Sequence, residues 1–120
     1  MKNNYVIQNM DMIAGIEMNA LVAVNIMEID VKHDWHWKHT TKNYSDDISA
    51  AWEVVEKLKK IGWSLSIIEH AEPAGDYVVE IWRRDLVGDE DKIFVFRAET
   101  APLAICRAAL SVVPANVGGV

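Results

Sequence analysis

The chain holds a single cysteine, Cys106, in 120 residues, so no disulfide can form within it, as is usual in a reducing compartment. No apolar run reaches the roughly 20 residues that a bilayer requires. The longest, Met12–Met27, is broken by Glu17, Asn19 and Asn25. The start lacks the basic region of a signal peptide, since Lys2 stands alone before Asn3 and Asn4. These absences point to a cytosolic protein with no membrane segment. Also missing are a Gly-rich phosphate loop, a nucleophile elbow and a carboxylate pair of recognisable spacing. The expectation is a protein that is not an enzyme and carries no cofactor.

Positive charge is scarce as well. Twelve basic residues face 18 acidic ones, a net charge of −6, which argues against a partner of long nucleic acid. It leaves room for a small anion in a local pocket. All four arginines, Arg83, Arg84, Arg97 and Arg107, fall near the C-terminal end, while lysines occupy most of the rest. Arginine carries the planar fork that grips phosphate bidentately; lysine is a mobile point charge.

What is present is a globular composition, 51% hydrophobic and 25% charged, enough for one domain over residues 1–120 with a tail, 113–120, expected to fray. Met12–Met27 reads as a first helix, with Ile13, Ile16, Ala20, Val24 and Met27 at helical spacing. Further apolar residues widen that face almost all round, more than a small domain covers, so burial against a second subunit is expected. Ser45-Asp46-Asp47 supplies an N-cap and two acids for a second helix, ended near Ile61 by Gly62, with Ile48, Trp52, Val55 and Leu58 inward. Three strands follow: Trp63–Ala71, Asp76–Arg84 and Lys92–Ala98, the first two joined by the turn residues Glu72-Pro73-Ala74-Gly75. Apolar residues on both faces of these strands predict cover on both sides of the sheet, one side by a partner subunit. Thr100 caps the last helix and Pro102 fits its first turn. The fold class is therefore α+β: an antiparallel sheet of at least three strands sandwiched by helices in the order α-α-β-β-β-α, and oligomeric.

Few residues offer chemistry. His33, His36 and His39 are three apart, which on a helix smears them around the axis; with Asp34 they could bind a transition metal if the loop wrapped around one, but a polar loop whose Trp35 and Trp37 pack down is the plainer reading. Helix, three strands, helix also matches the double-stranded-RNA-binding domain, but Glu99–Leu103 lacks the basic cluster that domain needs at its last helix. Cys106 sits among Ile105, Ala109 and Leu110, where a thiol is usually an inert hydrophobe. Trp82 and Arg84 share one strand face, and Arg97 shares a face with Ile93 and Val95. An aromatic ring plus a guanidinium is a sensible grip for a nucleotide, worth about 1–3 kcal/mol for a stacked base. A strand tryptophan is nevertheless more often core. In Thr100–Val113 the only charged side chain is Arg107. A guanidinium in so apolar a helix is costly unless anions or acceptors meet it, so it either knits the core or awaits an anionic ligand.

Three segments resemble the phage ABA-sandwich domain: Ala14–Ala23 its opening block, and Tyr44–Leu58 and Thr100–Leu110 its signature blocks. The likeness runs from about Ala14 to Leu110 and extends to the Thoeris anti-defence protein 1 group of phage and prophage proteins. That resemblance implies a non-catalytic sponge in the host bacterial cytoplasm. It would bind the cyclic ADP-ribose isomers (gcADPR) released by TIR-domain enzymes and so block Thoeris immunity. It also implies pockets formed between subunits of a homo-dimer or higher homo-oligomer, with cyclic oligonucleotides held at a second site in some members. Arg107, inside the matching final block, carries over as a phosphate contact. Trp82, Arg84 and Arg97 are added from strand position, and Met18 for the apolar wall lent by the first helix. The competing reading is a phage protein–protein interaction module, in which Arg107 is a structural ion-pair member.

Overall fold

The structure, a computed structural model, describes residues 5–7, 13–29, 41–70, 76–83 and 93–113. In chain order the elements are β1 (Tyr5–Ile7), α1 (Ile16–Asn25), α2 (Ile48–Lys60), β2 (Trp63–His70), β3 (Asp76–Arg83), β4 (Ile93–Ala98) and α3 (Ala101–Val112). The sheet order is β1-β4-β3-β2. β2, β3 and β4 pair antiparallel, as expected, and β1 adds a fourth strand parallel to β4, with Tyr5 opposite Ile93 and Ile7 opposite Val95. Three residues of strand carry too short a pattern to be read from sequence.

Register explains which face is inside. Trp63, Leu65 and Ile67 lie opposite Arg83, Ile81 and Val79, and β4 sets Phe94, Phe96 and Ala98 beside Ile81, Val79 and Tyr77. All of these but Arg83 join Met18, Val22, Val54, Leu58, Ile105 and the rest of one core with all three helices. Fully burying a Leu, Ile or Val of this set contributes about 1.5–3 kcal/mol. The alternate residues, Ser64, Ser66, Ile68, Val78, Glu80, Trp82, Val95 and Arg97 among them, occupy the opposite face. Among the described residues, no helix packs on it.

Three readings of the helices are corrected. α1 begins at Ile16, not Met12, and its buried residues are Met18, Asn19, Ala20, Val22 and Ala23. Ile13 and Ile16, assigned inward by spacing, are 75% and 44% exposed. α2 buries Ala50, Ala51, Val54, Val55 and Leu58, whereas Ile48 and Trp52 are about half exposed, at 51% and 49%. The alanines let α2 lie close against the small residues of α3, where an indole would hold the helices apart. The N-cap of α2 is Asp47, whose carboxylate accepts from the Ser49 amide at 3.0 Å, and not Ser45.

Ser45 has turned inward. Its amide and hydroxyl donate to Asn19 Oδ1 at 2.9 and 2.6 Å, its Oγ accepts from the Gly15 amide at 2.9 Å, and Asn19 Nδ2 donates to Asn43 Oδ1 at 2.9 Å. Both Asn19 and Ser45 are buried. This network fixes the approach to α2 against the start of α1, and explains why Asn19 faces inward and the apolar stripe of α1 is turned from its expected setting. Replacing Asn19 by alanine strands the Ser45 amide away from water; the expected loss is about 1–3 kcal/mol in urea denaturation. Lys42→Ala, which removes an exposed partner of Glu53, is expected to leave the midpoint unchanged.

Candidate functional site

Two residues, Glu99 and Thr100, separate the end of β4 from the start of α3. Thr100 caps it, its Oγ1 accepting from the Leu103 amide at 3.3 Å, and Pro102 lies in the first turn, both as read from sequence. Pro102 to Cys106, Ala108 and Ala109 are buried, but Arg107 is not. It lies with Leu110 and Ser111 on a half-exposed stripe, so the expectation of a guanidinium sunk in an oily helix is corrected. Seven buried positions in 12 leave one narrow strip of the helix toward water, and the charge takes it.

The Arg107 guanidinium donates from Nη1 to the backbone carbonyl of Arg97 at 2.9 Å. Arg97 lies two residues beyond Val95, the last β4 residue paired with β1. A carbonyl is neutral, so this bond orients the fork without cancelling its charge. The Arg97 side chain is exposed on the face turned from the helices and pairs with Asp76 Oδ2 at 3.1 Å. Two arginines are thus brought to one corner, where β4 ends and β3 begins.

Trp82 is half-buried on the same sheet face as Arg97, outside the core cluster. Arg97 sits opposite Val78, so Trp82 is four residues along β3, about 13 Å away at strand rise. Met18 is fully buried in the core beneath α1 and does not reach this face. Arg84 and the His33–His39 segment lie outside the described residues. Arg83 lies over the Trp63 ring at 5.2 Å and against Gly62, whose φ of +107° disfavours any side chain there. It closes one end of the core.

A concavity of about 400 Å³ lies between α2 and β2, lined by Trp52, Val55, Lys59, Ser64, Leu65 and Ile67. None of the ligand-binding residues expected from the sequence lines it. The signal was present in Ile48, Trp52, Val55 and Lys59, spaced along one side of α2, but the apolar members were assigned to the core. Among the described residues no group of three His, Cys, Asp or Glu side chains is placed to hold a metal, and no helix is long and apolar enough to cross a membrane.

The model of the phage ABA sandwich domain family matches residues 20–110, and the chain belongs to that family. No curated protein and no solved structure matches.

Cys106, beside Arg107 in sequence, is fully buried. Burial, and secondarily the charge of Asp46, pushes its thiol from 9.0 up to about 12. The folded chain therefore holds a proton that the unfolded chain releases near 9.0. This thiol leaves stability unaffected below that pH and erodes it from there to about 12, by at most about 1.4 kcal/mol per pH unit. A disulfide reagent at pH 8 is expected to label no thiol in the native protein and one per chain in urea.

Proposed function

We propose that this member of the phage ABA sandwich family is a non-catalytic anti-defence sponge. It binds cyclic ADP-ribose isomers in the host bacterial cytoplasm and holds them unchanged, so that the Thoeris response they signal does not fire. The observation that carries the reading is the arginine corner. Arg107, within the block that resembles a signature block of the phage ABA-sandwich domain, is aimed by the Arg97 carbonyl, and Arg97 itself faces outward on the sheet.

Charge-assisted bonds from two guanidinium groups suit a pyrophosphate. Trp82, on the same face as Arg97, offers a plane for a purine. A sponge acts by stoichiometry and needs affinity near nanomolar, about −12 kcal/mol. Two phosphate grips, one stacked base and enclosure by further protein surface are of the right order for that. Cys106, with its thiol protonated and buried, supplies no nucleophile at neutral pH.

A second reading, a module that docks a host or virion protein, is favoured by the exposed Ile48 and Trp52 of α2. Capture of a protein partner from infected cells, with no nucleotide bound, supports it against the sponge.

Calorimetry with the cyclic ADP-ribose isomers is expected to show tight binding, and chromatography of the denatured complex to return the ligand intact. Arg97→Ala and Arg107→Ala are each expected to weaken binding roughly 10- to 100-fold, the size of one lost charged hydrogen bond. Asp76→Asn, which removes the carboxylate competing for Arg97, is expected to strengthen it. No heat and no thermal shift at micromolar ligand overturns the proposal.

A further inference from the structure

The concavity between α2 and β2 has a polarity along its length. The chain reverses over Ile61 and Gly62, between the end of α2 at Lys60 and the start of β2 at Trp63, so positions on both elements count outward from one turn. Nearest the turn the lining is Lys59 and Ser64; next come Val55 and Leu65; farthest out stand Trp52 and Ile67. Trp52 to Lys59 spans about 10 Å at helical rise, and Ser64 to Ile67 about 10 Å at strand rise. The result is a slot with an ammonium and a hydroxyl at one end and an indole and aliphatic side chains along the rest. Trp52 is 49% exposed and Val55 only 3%, so the indole stands at the mouth and Val55 at the floor.

We propose that this slot binds a planar aromatic monocarboxylate, its carboxylate on Lys59 and Ser64 and its ring between Trp52 and the side chains of Val55, Leu65 and Ile67. A volume of about 400 Å³ is in the range of small-molecule pockets, which are mostly apolar with a few convergent polar groups. The sign of the ligand follows from the turn end. The last turn of α2 carries Lys57, Lys59 and Lys60 and no acid. Lys57 is drawn toward Glu28, 3.7 Å away, whereas Lys59 lines the slot. The acid one turn earlier, Glu56, is exposed and does not line it.

An ammonium offers three donors, so Lys59 can meet a carboxylate beside any group of its own chain. One lysine is a point charge that matches a single negative charge; it lacks the fork that suits a pyrophosphate. A flat ring is selected because an indole gains from offset or edge-on aromatic contact beyond the area that is covered. The slot opens on the core-facing side of β2, while Trp82 and Arg97 occupy the opposite face of the sheet, so it stands or falls apart from the sponge reading.

The test uses the full chain with 2-naphthoate as the probe and naphthalene-2-carboxamide as its neutral counterpart. Calorimetry is expected to show one saturable naphthoate site per chain at submillimolar concentration and weaker binding of the amide. Methyl resonances of Val55, Leu65 and Ile67 are expected to shift on titration. Trp52→Ala, at an exposed position, is expected to weaken both compounds roughly 10-fold with an unchanged circular dichroism spectrum. Lys59→Gln is expected to weaken naphthoate roughly 3-fold and leave the amide unchanged, the size of one exposed ion pair. No saturable binding at millimolar naphthoate overturns the proposal, as does equal binding of acid and amide or binding that survives Trp52→Ala. A slot already filled by another chain, read as methyl shifts that follow protein dilution and not naphthoate, overturns it too.

Discussion

A helix with Leu103, Ala104, Ile105, Cys106, Ala108 and Ala109 all withdrawn from water has to be enclosed from several sides, and α3 is so enclosed by α1, α2 and the inner face of β3 and β4. Three alanines and a cysteine keep its girth small, so both neighbouring helices and the sheet reach it at close range. The demands on the rest of the chain follow from that enclosure. α2 must present Ala50 and Ala51 rather than Trp52; the sheet must put Val79, Phe96 and Ala98 on one side; and α1 must lay Met18, Val22 and Ile26 across the remaining flank. With every other side of α3 occupied, its one charge is left on the half-exposed strip that meets the end of β4.

The arginine corner is thus a by-product of packing. Arg107 is aimed by a backbone carbonyl, which sets direction without neutralising charge, and Arg97 is steadied by Asp76 on the neighbouring strand. Both groups lie outside the core, so neither carries the cost of a buried guanidinium. In the sponge reading, binding exchanges a surface carboxylate for a pyrophosphate at Arg97, a more demanding partner for the same fork.

The two edges of the sheet differ in the same logic. At one edge β1 pairs with β4 and takes up its outer groups as far as Val95; at the other, β2 carries an apolar run beside an apolar groove. The residues that α3 forces out of the interior, Ile48 and Trp52, end up beside that second edge. A core built around one slim helix therefore moves hydrophobic surface to the groove between α2 and β2.

The α+β class, the three antiparallel strands, the Thr100 cap and the stop at Gly62 were legible in the sequence, because alternation, caps and glycine act over a few residues and do not depend on the rest of the fold. So was the likeness to the phage ABA sandwich family; that Trp82 and Arg97 share one sheet face came from the register between β3 and β4, since a period of two determines a face only within one strand. The tertiary structure decided what depends on neighbours distant in sequence. It turned α1 about the buried Asn19–Ser45 network, expelled Trp52 in favour of alanines, and set Arg107 at the surface rather than in the core. Helical spacing marks an apolar stripe without saying which of two stripes faces inward. That choice belongs to the space α3 leaves, and no local pattern records it.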